Sequence, residues 1–323
     1  MKKEILITGG LGYLGGRIAL ALAANPGYAL KLGTHKTSEK QYPDWVNGNN
    51  LNIVQMDLLS QDSLDKVCQG IDTIIHLAAL NENDSLANPQ QAFLVNSLGT
   101  LKLIESAKRA GVKKFIYFST AHVYGSPLQG VITEKTLAFP VHPYAITHKA
   151  AEDFVIAADI KKEFSSVVIR LSNGFGAPAD HYVNRWTLLV NDLCRQAVTQ
   201  KKLVLKSSGI QSRDFISLKD VGRAVNHFLL LQDKNSDNCI YNLGGESPKT
   251  IYDMAQMIAV RCEKILGFKP VIIRPEVQHG EAPMEIKYCI DKLKSTGYSL
   301  ISNFEEEIDL TIKLCEKYFR NGT

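Results

Sequence analysis

The chain has no apolar run long enough to cross a bilayer, no tract of one charge, no Cys-x-x-Cys pair and no internal repeat or low-complexity segment. The first absence argues against a membrane protein: after Met1-Lys2-Lys3 the apolar stretch stops with Leu6 and Ile7, too short for a secretion signal or a span, so a cytoplasmic location is expected. The six cysteines, Cys68, Cys194, Cys239, Cys262, Cys289 and Cys315, are scattered and have no ligand histidines beside them. Neither a metal site nor a disulfide framework follows, and buried reduced thiols are expected. A net charge of +4 from 37 basic and 33 acidic residues, spread along the chain, offers no surface for nucleic acid or an anionic membrane. It still favours approach of a phosphorylated substrate. With 323 residues, 45% of them hydrophobic, the chain can bury a large core and needs no partner to fold.

What is present begins at residue 5. The apolar run Ile5-Leu6-Ile7 feeds Thr8-Gly9-Gly10-Leu11-Gly12-Tyr13-Leu14-Gly15, a buried strand leading through a glycine-rich turn into a helix expected over Arg17–Ala24. Backbone amides and the positive end of a helix meet there, which is the chemistry that holds a dinucleotide pyrophosphate. Gly9 allows the sharp turn, Gly12 lets backbone approach phosphate, and Gly15 lets the helix pack close to the strand. The Gly-x-x-Gly-x-x-Gly spacing is looser than the usual fingerprint, and alone it also suits an ordinary strand-to-helix turn.

Strand-like runs recur at Ile5–Thr8, Ala29–Leu32, Asn52–Met56, Thr73–Leu77, Lys114–Ser119 and Ser166–Leu171, with helical patterns between most of them, among them Ser60–Gln69 closed by Gly70. This alternation predicts an α/β fold, a doubly wound parallel sheet covered on both faces. After residue 173 the rhythm breaks. Asn173-Gly174-Phe175-Gly176-Ala177-Pro178 reads as loop, followed by a helix over Arg185–Val198, a strand over Leu203–Lys206, a helix over Leu218–Leu231 and a strand Cys239–Leu243 that returns to the sheet. A helix over Ile251–Leu266, a strand over Val271–Arg274 and a last helix over Phe304–Phe319 complete the pattern. The expected organisation is a dinucleotide-binding domain over 1–172, rejoined by 215–244, with a smaller interleaved α/β substrate lobe over 173–214 and 245–323 and a cleft between them.

A further absence bears on the cofactor. No Asp or Glu occurs from Gly9 until Glu39, so the carboxylate that normally follows the second strand and marks NAD is missing. Thr34, His35 and Lys36 instead offer donors and charge to a phosphate, which favours NADP, with NAD kept as the alternative. Asp57-Leu58 follows the third strand, where Asp57 suits either the adenine amino group or a helix-capping turn. After His76, whose bland reading is a core histidine bonded to backbone, the small residues of Leu77-Ala78-Ala79 leave room for a flat cofactor.

The later motifs are Asn96-Ser97-Leu98-Gly99-Thr100, Phe118-Ser119-Thr120-Ala121-His122-Val123-Tyr124-Gly125, His142-Pro143-Tyr144-Ala145-Ile146-Thr147-His148-Lys149 and Arg213-Asp214-Phe215. With the glycine turn and Asp57 they resemble the extended short-chain dehydrogenase/reductase family of nucleotide-sugar epimerases, dehydratases and reductases, from residue 3 to about residue 298. The resemblance implies a Rossmann fold and a nicotinamide cofactor. It also implies contacts from Asn96 and Ser119 to that cofactor, and Tyr144 as acid/base with Thr120 as its hydrogen-bonding companion. A hydride leaves or reaches a carbinol carbon only as the attached oxygen loses or gains a proton, which is why a phenol is needed.

The chain departs from the family in several places. The family's Tyr-x-x-x-Lys becomes Tyr144-x-x-x-His148, and Lys149 is turned a further ~100° around a helix, so His148 is the expected stand-in. A mostly neutral imidazole stabilises tyrosinate less than an ammonium does, so Tyr144 should remain a phenol, suited to ketone reduction; the opposing reading is a cofactor-binding sensor with little or no turnover. For the substrate, the resemblance implies Asn173 and Arg213 as contacts to a sugar diphosphate, with His122 beside them and Arg170 and Arg274 as further charge. Gln278-His279-Gly280-Glu281 stands where many epimerases have Arg-Pro-Gly-Glu, which leaves that nucleotide contact in doubt. Ala121 and His122 occupy the places of the Asp-Glu pair with which dehydratases expel water, so dehydration by that route is not expected. A homodimer is implied too, through helices around Gln90–Ala110 and Tyr144–Ile160, whose apolar residues Phe93, Leu94, Leu101, Ile104, Ala151, Phe154 and Val155 suit a subunit interior equally well.

Overall fold

The computed structural model describes residues 2–35, 43–47, 51–231, 238–282, 284–301 and 303–320. The first stretch runs β1 (Lys3–Thr8), α1 (Tyr13–Ala23), β2 (Tyr28–Thr34), β3 (Leu51–Gln55), α2 (Gln61–Cys68), β4 (Thr73–His76), α3 (Glu82–Ala87), α4 (Pro89–Ala92), α5 (Gly99–Ala110) and β5 (Lys114–Thr120). It continues through β6 (Gly130–Ile132), α6 (Pro143–Ile160), β7 (Ser165–Leu171), β8 (Asn173–Phe175), α7 (Leu189–Gln200), β9 (Lys202–Val204), β10 (Ser212–Ser217), α8 (Leu218–Leu230) and β11 (Ile240–Leu243). The last part comprises β12 (Pro248–Thr250), α9 (Ile251–Leu266), β13 (Val271–Ile273), β14 (Ile286–Tyr288), α10 (Asp291–Lys294) and α11 (Phe304–Phe319).

Seven strands form one parallel sheet in the order β11-β7-β5-β4-β1-β2-β3. Ile5, Leu6 and Ile7 are fully buried because helices cover both faces, as continuous apolar strands require. From β1 the chain winds outward through β2 and β3, then crosses back to β4 and winds the other way. The strand order therefore reverses between β1 and β4, and the crevice beyond their carboxyl ends is where such sheets bind ligands.

One hydroxyl joins those two strand ends. Thr8 Oγ1 accepts the Leu77 and Ala78 N–H groups at 3.1 and 3.2 Å and lies 2.6 Å from His76 Nδ1. Thr100 Oγ1, 2.9 Å from His76 Nε2, donates its proton to the Asn96 carbonyl and so accepts from the ring. His76 is thus an Nε2–H imidazole accepting from Thr8, bonded to hydroxyls rather than to the backbone partners expected for it. Burial pushes its pKa down to about 3.

Several boundaries differ from the sequence reading. α1 starts at Tyr13 rather than Arg17, with Gly12 as its N-cap. The stretch taken as loop at 173–178 contains β8, whose Asn173–Phe175 pairs in parallel with Phe215–Ser217 and buries Phe175. α7 starts at Leu189 rather than Arg185: Asp180 accepts the Tyr182 and Val183 N–H groups, and beyond them the Arg185 N–H turns back to the Val183 carbonyl and the Leu188 N–H to the Arg185 carbonyl, so 185–188 form turns. A second core, with Trp186, Leu193, Met254, Ile258, Ile308 and Ile312, lies among α7, α9 and α11. Arg17 of α1 grips it through a bidentate pair with buried Glu307 of α11 and a 2.7 Å bond to the Ala177 carbonyl.

Arg170 does not reach out for phosphate. Its Nε and Nη2 donate to the two carboxylate oxygens of Glu152 at 3.0 and 2.7 Å, both side chains are buried, and its guanidinium lies 4.7 Å from the Tyr124 ring centroid. Arg274 is likewise engaged, donating to the Ser208 carbonyl at 2.7 Å and stacked 3.7 Å from the Tyr252 ring centroid. Among the described residues no helix is long and apolar enough to cross a membrane.

Removing one member of the buried pair strands the other charge. Glu152→Leu should lower unfolding free energy by about 3–5 kcal/mol, while Glu152→Leu with Arg170→Met should recover most of it, both read from urea midpoints. For His76 the unfolded chain takes up the proton first, so the stability contributed by the neutral ring is complete above pH 6.5 and is lost as pH falls towards about 3. His76→Gln should remove up to about 1.4 kcal/mol per pH unit from the slope of stability between about pH 7 and pH 4.5. An unaltered slope would mean that His76 charges freely in the folded protein.

Candidate active site

The glycine turn is shaped by two close approaches. Gly9 has φ +66°, and a Cβ there would sit 3.1 Å from the Ala78 nitrogen; a Cβ on Gly15 would fall 2.2 Å from the Gly9 carbonyl oxygen. Gly15 therefore seats α1 on the turn, where the sequence reading had it lie against the strand. The first-turn N–H groups of Tyr13, Leu14 and Gly15 have no carbonyl ahead of them in the helix, and no acidic side chain stands in that turn. The Tyr13 phenol donates to the Gly176 carbonyl at 2.9 Å and so joins the turn to the chain after β8.

At the β2 end, Thr34 is buried with its carbonyl accepting the Met56 N–H, and His35 is exposed; Lys36 lies outside the described residues. Asp57 is exposed and its Oδ1 accepts the Leu59 N–H at 2.8 Å, the turn alternative, beside half-buried Leu58. Leu77 and Ala78 are half-buried and Ala79 is exposed on the β4 side of the crevice. Asn96, expected to touch cofactor, is buried: its Oδ1 accepts the Leu80 N–H at 2.7 Å and its Nδ2 donates to Thr147 Oγ1 at 3.0 Å. It sits in a turn of π-helix over Phe93–Leu98 and clamps the segment after β4 to α6.

The chemistry-bearing residues lie where α6 packs along the end of β5. Four residues apart on α6, Tyr144 and His148 share a face, with ring centroids 4.4 Å apart at 65°. Lys149 points elsewhere and pairs with Asp153 at 2.5 Å, so His148 alone occupies the lysine position. His148 is buried and burial lowers its pKa to about 4; its Nδ1 is 2.7 Å from the Tyr117 hydroxyl, and its Nε2 is buried without a protein partner. Ser119 Oγ is a second buried atom without one. Thr120 Oγ1 accepts the His122 N–H, which leaves its own proton to give away.

Burial lifts the Tyr144 phenol well above its ordinary pKa; the Glu82 carboxylate adds to the rise and Arg185 opposes it. Burial also lowers the pKa of half-buried His122, with Arg213 and His142 acting the same way and Glu82 against them. Arg213 on β10 is half-buried and its pKa is lowered by burial, again with Glu82 opposing. Glu82, at the start of α3, therefore acts electrostatically on Tyr144, His122 and Arg213, and the sequence reading missed it. Its only signal was a carboxylate shortly after the fourth strand, on the ligand-binding edge of the sheet. Asn173 donates to the Asp214 carbonyl at 2.9 Å, while Gln278 and Glu281 close a turn in which Glu281 accepts the Ser208 hydroxyl at 2.5 Å.

The cradle at Gly9 and Gly15, the open end of α1 and the unpartnered His148 Nε2 and Ser119 Oγ together fit a dinucleotide laid across the switch point. A dTDP-D-glucose 4,6-dehydratase from Homo sapiens is 29% identical, over 99% of this chain and 91% of that protein. A UDP-N-acetylglucosamine 4-epimerase from Methanobrevibacter ruminantium M1, solved in complex with UDP-N-acetylmuramic acid, superposes with a TM-score of 0.80 at 25% identity over 97% of this chain and 98% of that one. The fold is shared with a UDP-glucuronic acid 4-epimerase from Bacillus cereus in complex with UDP-glucuronic acid and NAD, at a TM-score of 0.80 and 24% identity over 98% of this chain and 100% of that one. Residues 5–244 match the NAD dependent epimerase/dehydratase family, and the chain belongs to it.

Proposed function

We propose that the protein is an NAD(P)-dependent oxidoreductase acting on a nucleoside-diphosphate sugar, as a 4-keto reductase or an epimerase, with Tyr144 as the acid/base. The observation that carries this is the shared face of Tyr144 and His148 at the end of the crevice, with His148 Nε2 and Ser119 Oγ buried and unpartnered beside it. When bound, the nicotinamide supplies the hydride exchange. Tyr144 Oη holds the proton that a forming alkoxide takes up, and its burial keeps it protonated at neutral pH. Thr120 offers its hydroxyl proton to the same sugar oxygen, while His122, Asn173 and the desolvated Arg213 hold the sugar diphosphate.

A neutral His148 and a protonated Tyr144 favour the reductive direction, and therefore the reductase over the epimerase. The absence of any carboxylate from Gly9 to Lys36 supports NADP over NAD. Buried Ala121 leaves no acid beside Thr120 at the first of the two positions used for expelling water. The neutral imidazole in place of an ammonium also supports the second reading, a cofactor-binding sensor with weak turnover. We place the cofactor on 1–172 with 215–244 and the substrate on 173–214 with 245–323. A cytoplasmic setting accords with six free, buried cysteines.

We also propose a homodimer through the helical face of α4 to α6. Ile104, Ala151 and Val155 belong to the subunit core, but Phe93, Leu94, Ile146 and Phe154 are 54, 40, 47 and 38% exposed. Light scattering should report a dimer for the native chain and a monomer for Phe93→Glu with Phe154→Glu; a native monomer sinks this interface.

Mass spectrometry of the nucleotide bound by the purified protein, then a screen of nucleotide sugars with nicotinamide absorbance as readout, tests the function. Stoichiometric oxidation of NADPH is expected, whereas turnover without net absorbance change marks an epimerase. Tyr144→Phe should lower kcat by about 10²–10⁴-fold and alter cofactor affinity less than about threefold. Undiminished turnover in that variant would remove Tyr144 from the chemistry.

A further inference from the structure

A row of four aromatic rings leads from the sheet into the site. His76 on β4 and Tyr117 on β5 are register partners with ring centroids 5.7 Å apart; Tyr117 and His148 are 5.9 Å apart, and His148 and Tyr144 are 4.4 Å apart. Tyr117 shares a strand face with Ser119 and packs in the core beneath α5 and α6. Both His76 nitrogens are taken by threonine hydroxyls. The Tyr117 hydroxyl lies 2.7 Å from His148 Nδ1.

From this row we infer that Tyr117 is a positioning residue that fixes His148 as the Nε2–H tautomer, presenting a neutral N–H donor on the cofactor side of Tyr144. A buried phenol proton without an acceptor is unfavourable, and Nδ1 is the acceptor in reach, so the phenol donates to Nδ1. The imidazole proton then resides on Nε2, the atom that is buried and unpartnered. Without Tyr117, the Nδ1–H form would turn a lone pair toward that space and could not donate to a ribose hydroxyl. The ammonium of the family pattern needs no such control, because all its protons donate. Tyr117 remains a phenol throughout, since burial holds its pKa well above the ordinary value.

The inference rests on the proposed reading that His148 faces the cofactor, and it is tested without turnover. Nitrogen-15 spectra of the full chain labelled in histidine should report His148 as Nε2–H, staying neutral as pH falls through the usual histidine range. An Nδ1–H form in the native protein overturns the inference, whatever becomes of any variant. In titrations followed by NADPH and NADH fluorescence, Tyr117→Phe should weaken binding about 5–10-fold, the loss of one hydrogen bond. In a His148→Lys background the same change should alter affinity less than about twofold, because the effect passes through the imidazole. Equal losses in both backgrounds, or none in either, overturn it. A protein that binds the cofactor and shows this coupling but converts no nucleotide sugar refutes the proposed activity and leaves the Tyr117–His148 assignment standing. Failure to bind either dinucleotide refutes both.

Discussion

The site depends on how two neighbouring parallel strands part company. β1 and β4 run side by side until Thr8 and His76, and there the Thr8 hydroxyl takes the N–H groups of Leu77 and Ala78 that the ladder no longer serves. The chain after β1 turns at Gly9 while the chain after β4 is held to Thr8 and, through Asn96, to α6. Two backbone segments are thus fixed on opposite sides of one crevice by groups that are themselves buried and bonded. This pre-organisation spares a flat, charged ligand the cost of ordering these two segments.

Neutrality is the second theme. Two imidazoles and two phenols stand in a row, with burial lowering the pKa of both histidines and raising that of both tyrosines. Each of these groups is held in its uncharged form at neutral pH. An ammonium at position 148 would change the balance, since a cation next to Tyr144 favours tyrosinate and hence proton abstraction. With imidazole there, the position keeps a hydrogen-bond donor and gives up the charge. Of the charges acting on Tyr144, the Glu82 carboxylate opposes ionisation and Arg185 favours it.

Much of this was legible in the chain. Continuous apolar runs marked the strands of the main sheet, because burial on both faces removes the need for polar alternation. The spacing of Tyr144 and His148 declared a shared helix face. Element ends were less legible where a side chain captures backbone, as Asp180 does before α7, or where a short strand such as β8 is made by its partner β10 rather than by its own pattern. Least legible were roles set by residues distant in sequence. Tyr117 meets His148 because β5 lies under α6, and Arg170 looked available for phosphate because Glu152 is not its neighbour in the chain. Glu82 belonged to no motif, and only its place shortly after the fourth strand marked it.

The substrate side follows from the same kind of constraint. Asp214 lies between Arg213 and Phe215 on a strand that pairs with both β8 and β12, so its backbone carbonyl takes the Asn173 amide while its carboxylate takes the Gly245 N–H. Burial lifts the pKa of that carboxyl to about 6, the cost of withdrawing the charged form from water, and Gly244 leaves it room, since a Cβ there would come within 2.4 Å of Oδ2. An Asn or Ser there would leave fewer acceptors for the N–H groups that converge on the site. Asp214 therefore ties Asn173 to the strand that carries Arg213, so the two residues we propose for the sugar diphosphate stand on one hydrogen-bonded strand pair instead of on independent loops.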